Sequence, residues 1–116
     1  MERHSKTRIM RIYLSSTDKF KNAPLFETLV FLAKRNTMAG ATVIKGVMGF
    51  GASSAVTSTR FWSVSEKLPM IIEIIDEKEK IENFFTIIKP YLEKVKKGIM
   101  VSIENAEIMM YKAGGK

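Results

Sequence analysis

Five large apolar side chains in six residues, Met70-Ile71-Ile72-Glu73-Ile74-Ile75, set the tightest limit on how this chain folds. Isoleucine dominates the run, Pro69 opens it and Asp76 closes it, which marks a short buried strand rather than a helix. A strand that is apolar on both faces needs cover on both. At 116 residues the chain has room for one domain. Its own helices can supply one covering layer, and self-association is the natural source of the second.

The remaining elements follow from periodicity. Met10, Ile12 and Leu14 alternate with Ile9, Arg11 and Tyr13, a period-two strand from Arg8 to Leu14. Ser15 to Ala23 is polar and reads as a loop. Pro24 suits the first turn of a helix. Leu25, Leu29 and Leu32, widened by Phe26, Val30 and Ala33, carry that helix to about Asn36, and Ala39-Gly40 ends it. Thr42, Val43, Ile44 and Val47 predict a strand over Ala41 to Met48, and Val56 to Val64 reads as another after a mobile tip. Asp76 followed by Glu79 fits a helix start. Ile81, Phe84, Phe85 and Ile88 continue to Leu92 and Val95 at helical spacing, with a kink or restart expected at Pro90 and a stop at Gly98. Ile99, Val101 and Ile103 alternate in a last core strand, and Ala106 to Tyr111 reads as a short further one. The order β-α-β-β-α-β is the plan of an α+β, ferredoxin-like sandwich with a short C-terminal extension strand. Residues 8–111 form the domain, with flexible tails at 1–7 and 112–116.

Composition narrows the chemistry. Cysteine is absent, which removes disulfides, thiolate metal sites and a cysteine nucleophile. His4 is the one histidine and stands in a polar tail, so a histidine triad or a His-rich metal centre is not expected. The formal net charge of +7 favours anionic partners. Residues 1–22 hold six basic side chains against two acidic ones, yet no basic helix or RNA-binding aromatic pattern accompanies them. No apolar run approaches the roughly 18 to 20 residues of a membrane span. A cytoplasmic protein is expected. The absence of glutamine beside abundant Lys and Glu leans towards a thermophilic source.

The stretch Gly46-Val47-Met48-Gly49-Phe50-Gly51 is the richest in chemistry. Three glycines in six residues leave amides unshielded and permit positive φ, so the turn can wrap a nucleotide's base or phosphates. The plainer reading is a bulge and turn at a strand end. Spacing excludes a dinucleotide fingerprint, and no Gly-Lys-Ser/Thr closes a phosphate loop.

These residues resemble the end of the second strand in PII signal-transduction proteins, where a Thr-Val pair leads to Gly-Phe-Gly and a long loop. Leu68-Pro69, the Ile72-Glu73-Ile74 strand, Asp76 and Gly98 follow in the same order. Over Arg8 to Tyr111 the chain more closely resembles an uncharacterised PII-like family, UPF 0166 or domain of unknown function 190. Ile12-Tyr13, Pro24-Leu25 and Ala39-Gly40-Ala41-Thr42-Val43 carry that match. The resemblance implies a homotrimer with adenine-nucleotide sites in the clefts between subunits. It places Thr42, Gly49, Phe50, Gly51 and Gly98 in those clefts. Ile99 stands where PII proteins carry a phosphate-binding lysine, and Lys96 or Lys97 can substitute from the other side of the turn. The C-terminal arginines of PII proteins are missing too, leaving Lys112 and Lys116. AMP or ADP is therefore expected rather than ATP. The loop 52–62 is implied to contact a protein target, with a membrane transporter or channel in view because the family is sometimes encoded beside fluoride exporters.

Other candidates have two readings each. Lys45 either reaches the cleft or is solvated, and Arg60 either contacts a phosphate or partner or sits in a hairpin with Phe61 and Trp62 packed beneath. Glu73 and Asp76 read as helix-capping carboxylates rather than a catalytic or metal pair. The eight methionines read as core filler. No catalytic residue, metal ligand or cofactor is expected. The alternatives to a nucleotide-binding regulator are a trimeric metal- or ion-tolerance protein of the same fold, a protein-binding module without nucleotide, an enzyme, and a nucleic-acid binder. The first lacks the Cys and His that soft metals prefer; for the last, only net charge speaks.

Overall fold

The computed structural model describes residues 6–50, 57–58 and 67–115. The elements run β1 (Thr7–Ser15), β2 (Lys19–Phe20), β3 (Ala23–Pro24), α1 (Leu25–Arg35), β4 (Thr42–Lys45), β5 (Met48–Gly49), β6 (Thr57–Ser58), β7 (Pro69–Glu77), α2 (Lys78–Glu93) and β8 (Met100–Ala106). The main sheet has the order β4-β7-β1-β8, with every neighbouring pair antiparallel. Both helices lie on one face of it. This is the ferredoxin-like α+β sandwich expected from the pattern.

Period-two alternation decides which side chains meet the helices. Met10, Ile12 and Leu14 of β1 and Met70, Ile72 and Ile74 of β7 are buried there. Leu25, Leu29, Leu32 and Ala33 of α1 and Ile81, Phe84, Ile88 and Leu92 of α2 complete one core. Each such aliphatic side chain contributes about 2 kcal/mol relative to exposure.

Several local expectations are corrected. Ser15 to Ala23 is not only loop: β2 and β3 form a small hairpin whose turn residues Lys21 and Asn22 both take positive φ, as a tight two-residue turn requires. Its Phe20 packs at a tilt against Tyr91 of α2, ring centroids 4.7 Å apart and planes at 50°. Pro24 stands one residue before α1, and the Leu25 N–H is taken by the Asp18 carbonyl at 2.8 Å. Helix α1 ends before Ala39-Gly40. Thr37, at φ 57°, makes the left-handed turn, with Met38 N–H donating to the Ala33 carbonyl and Thr37 N–H to that of Lys34.

The cap expected at Asp76 does not form, because β7 continues through Glu77 and α2 starts two residues later. The buried Asp76 carboxylate instead accepts the Ala39 N–H at 2.8 Å and the Glu77 N–H at 2.7 Å, with Lys80 Nζ at 3.5 Å. Helix α2 runs through Pro90 to Glu93 without a restart. Thr86 and Pro90 are both exposed, on the side where water replaces a missing backbone hydrogen bond.

The strand expected over Ala41 to Met48 stops at Lys45. Gly46 N–H still donates to the Pro69 carbonyl at 2.8 Å, but Pro69 has no N–H to return and the ladder ends. Met48–Gly49 then pairs with Thr57–Ser58 in a separate hairpin. Of the strand expected over Val56 to Val64, only Thr57–Ser58 lies within the described residues. The C-terminal extension strand is not formed: β8 ends at Ala106 and residues 107–115 hold no strand. The segment turns instead over the end of the sheet, where Tyr111 lines a second hollow with Met38, Ala39 and Lys80.

Candidate functional site

One end of the sheet, where β1 and β4 finish and β7 and β8 begin, opens into a cavity of about 430 Å³. Its walls come from four separate stretches. Tyr13 and Leu14 lead from β1, Met48 to Phe50 form the base of the hairpin, Leu68 to Ile71 open β7, and Lys97 to Met100 lead into β8. The lining is mostly aromatic and aliphatic, with Ser15, Asp18, Lys67 and Lys97 as its polar side chains.

Backbone pairing holds these walls in place. Ser16 N–H donates to the Leu68 carbonyl at 2.9 Å, and Leu68 N–H returns to Ser16 Oγ at 3.0 Å. Asp18 is buried, and its carboxylate accepts the Ser15 N–H at 2.8 Å, which offsets part of the cost of burying it. It builds the turn beneath the cavity. The glycines have a different role from the one expected: no described glycine adopts positive φ. Gly46 and Gly49 instead let the hairpin press on Pro69. A Cβ on Gly46 would stand 2.8 Å from Pro69 Cγ, and one on Gly49 would stand 3.2 Å away.

Gly49, Phe50, Lys97 and Gly98 are brought together at this cavity. Thr42 is not. It lies at the start of β4, opposite Glu73, roughly 10 Å along the strand from Lys45. Lys45 and Lys96 are exposed and stand outside the lining. Gly51 and Arg60, and the 52–62 loop expected to meet a target, except for the backbone of Thr57–Ser58, lie outside the described residues. Tyr13, Lys67 and Met100 are lining residues that motif reading misses, whereas Ile99 stands in the lining where the resemblance put it. The alternation of β1 puts Tyr13 on the face opposite Ile12, which is the available signal for it.

Beside the cavity runs the uncovered face of the sheet. Ile9, Arg11 and Tyr13 of β1 share it with Ile71, Glu73 and Ile75 of β7, Met100, Ser102 and Glu104 of β8, and Thr42 and Ile44 of β4. At its centre Arg11 Nε donates to Glu73 Oε2 at 3.0 Å, and Arg11 Nη1 donates to Glu104 Oε1. These accepting carboxylates, Glu104 first and Glu73 second, push the guanidinium further above its already high ordinary pKa. Glu73 is therefore an ion-pair residue and not a helix cap.

The DUF190 family model, described as Uncharacterized ACR, matches residues 7–108. A UPF0166 protein of Aquifex aeolicus is 30% identical over 104 residues, covering 90% of this chain and 94% of the relative. A UPF0166 protein of Methanocaldococcus jannaschii is 30% identical over 103 residues, covering 89% and 92%. Among solved structures, a putative PII-like signaling protein from Thermus thermophilus superposes with a TM-score of 0.64 at 17% identity, covering 90% of each chain. CPII, a nitrogen regulatory PII-like protein from Thiomonas intermedia bound to ADP, AMP and bicarbonate, gives 0.62 at 14% identity, covering 89% of this chain and 90% of that one. No described helix is long and apolar enough to cross a membrane. With matching relatives along nearly its whole length and a PII-like fold, the chain belongs to the DUF190, or UPF0166, family.

Proposed function

We propose that this protein is a cytoplasmic, trimeric regulator that binds an adenine nucleotide, AMP or ADP in preference to ATP. The observation that carries the reading is the cavity at the sheet end, which joins the Gly49-Phe50 turn to the Lys97-Gly98 turn. Tyr13, Phe50, Ile71 and Ile99 offer apolar surface for a purine ring, and Lys67 and Lys97 offer ammonium groups for phosphate. Two lysines match the charge of one or two phosphates better than that of three. Thr42 is too far along β4 to join this cavity within one chain, so a neighbouring subunit's Thr42 completes the cleft. CPII, with ADP and AMP in its structure, shares the fold and supports the reading. Signalling passes to a protein target, such as a membrane transporter or channel, through the loop 52–62.

The role is regulatory rather than catalytic. Ser15 Oγ, the hydroxyl nearest in kind to a nucleophile in the lining, is hydrogen-bonded to Thr17 Oγ1 at 2.9 Å. Calorimetric titration with AMP, ADP, ATP and cyclic AMP tests the proposal. Saturable binding near one site per chain, weakened in Lys97→Ala, is expected. Silence for all four nucleotides from the intact protein would overturn it in favour of a protein-binding module.

A further inference from the structure

The positive charge of the chain is unevenly placed. The β2–β3 hairpin carries Lys19 and Lys21, and the turn after α2 carries Lys94, Lys96 and Lys97, all five exposed. Packing brings the two stretches together. Phe20 lies against Tyr91, and Lys21 Nζ and Lys94 Nζ each stand 5.5 Å from the Phe20 ring centroid. Of the nineteen basic side chains five stand here, and the other fourteen are set against all twelve acidic ones. Most of the net charge of +7 therefore arises at this one patch.

That charge is not neutralised locally. Among the described residues none of the five lysines has a carboxylate at ion-pair distance, whereas Lys78 and Lys80 at the other end of the sheet do. The acidic groups nearest in sequence are Asp18, buried with its carboxylate on the Ser15 N–H, and Glu93, exposed beside Lys94. An aromatic ring attracts an ammonium group without cancelling its charge, so Lys21 and Lys94 share Phe20 as two like charges.

The patch lies on the helix side of the sheet, since β2 and β3 pack on α1 and Phe20 on α2. It also lies at the end from which the 46–50 segment leaves, because Lys97 and Met48 line one cavity. Val47, 70% exposed and two residues from Lys45, adds an apolar contact at that end. The residue types decide between anionic partners. Lysine is a point charge on a flexible stem, and a set of lysines without arginine suits a diffuse anionic surface better than bidentate recognition of single phosphates. Nor does a ring stand free to stack a nucleic-acid base, as Phe20 and Tyr91 are half-buried against each other.

We propose that this patch docks the protein onto an anionic lipid bilayer, with Lys19, Lys21, Lys94, Lys96 and Lys97 turned to the headgroups. The proposal goes beyond the nucleotide reading and does not depend on it. Each lysine close to such a surface strengthens binding about fivefold. The attraction is screened by salt, so docking is reversible.

Co-sedimentation with vesicles of phosphatidylcholine alone, or of phosphatidylcholine and phosphatidylglycerol in equal parts, tests it. Wild type should bind only the anionic vesicles and leave them as ionic strength rises from about 0.05 to 0.5 M. The triple variant Lys19→Gln, Lys21→Gln, Lys94→Gln spares the cavity lining and should bind about a hundredfold more weakly. Lys6→Gln, Lys34→Gln, Arg35→Gln removes the same charge at the opposite end and should bind like wild type, circular dichroism checking that both variants are folded. Wild type that ignores anionic vesicles overturns the proposal, as does a folded patch variant that binds them undiminished. Equal losses in the two variants would reduce the effect to net charge and overturn the patch as its seat. Tighter binding to polyuridylate or polyglutamate than to anionic vesicles at the same salt would overturn the bilayer as partner, in favour of a nucleic acid or an acidic protein.

Discussion

Ile74 and Ile75 are adjacent, identical in composition and part of the same strand, yet Ile74 is fully buried and Ile75 is not. The two faces of the sheet differ in the same way throughout. On one, α1 and α2 cover Met10, Ile12, Met70 and Ile72. On the other, Ile9, Tyr13, Ile71 and Ile75 surround an ion pair with no layer above them among the described residues. Connection geometry produces the difference. The crossovers β1-α1-β4 and β7-α2-β8 each return to a parallel strand with one antiparallel strand between, and crossovers of one hand lay both helices on one face. The lesson is that a strand's apolar content tells how much cover it needs, while topology tells how much the chain itself supplies.

The sharpest way to break this comparison is the pair Ile74→Ala and Ile75→Ala, measured by urea unfolding at a concentration where the protein is dissociated. Ile74→Ala should cost about 4 kcal/mol through lost transfer energy and a cavity that the packed helices cannot fill. Ile75→Ala should cost about 1 kcal/mol, since part of its side chain stays in water in either state. Equal losses would show that the open face is already covered within one chain. Next in size is Asp76→Ala, with about 3 kcal/mol lost. It would leave the half-buried Ala39 and Glu77 amides without their acceptor and release Lys80, detaching the end of α1 from the start of α2. A midpoint unchanged from wild type would mean that water satisfies those amides.

Much of this architecture is readable because it is periodic. Alternation in β1 and β7 and three-four spacing in both helices survive any tertiary context that buries one side. What escapes is non-local. Local pattern makes Asp76 a cap for the helix beside it, but its amide partner Ala39 stands 37 residues away. Gly46 and Gly49 suggest positive φ, whereas Pro69 of another strand is what excludes their side chains. Pro90 signals a break because sequence alone does not put it on the solvent side. At the site, resemblance reaches Gly49, Phe50, Lys97 and Gly98. The wall of Tyr13, Ile71 and Met100 exists only after three strands are brought into register.

Gly46→Ala sharpens the comparison where the two faces converge at the cavity. The new methyl group would meet Pro69 Cγ at 2.8 Å and the Pro69 carbonyl oxygen at 3.3 Å, so strand or hairpin must shift. A cost of about 2 kcal/mol is expected, of the size seen for overpacking a closed contact. Nucleotide affinity should fall with it, because the same contact sets the cavity wall. Full affinity together with lost stability would separate the hairpin base from the binding site.

The smallest effect belongs to Thr37, a strained point on the covered side. A β-branched residue in the left-handed region costs about 1–2 kcal/mol, and Gly there removes that cost while returning about 0.5–1 kcal/mol of chain entropy to the unfolded state. The exposed Thr37 Oγ1 also donates to the Asn36 carbonyl at 2.7 Å, a contact that Gly forfeits. Thr37→Gly should therefore raise stability by about 0.5 kcal/mol, and Thr37→Val, which keeps the branch and drops the hydroxyl, should lower it by a similar amount. Urea midpoints of the two variants check both signs. If Thr37→Gly is the less stable protein, the hydroxyl outweighs the backbone strain and the turn after α1 is held by side chain rather than by fold. In either case the change lies away from the open face, so the association constant should stay where it is in wild type. A shift in association would mean that the covered and uncovered sides are not independent, and the division drawn between them would have to be given up.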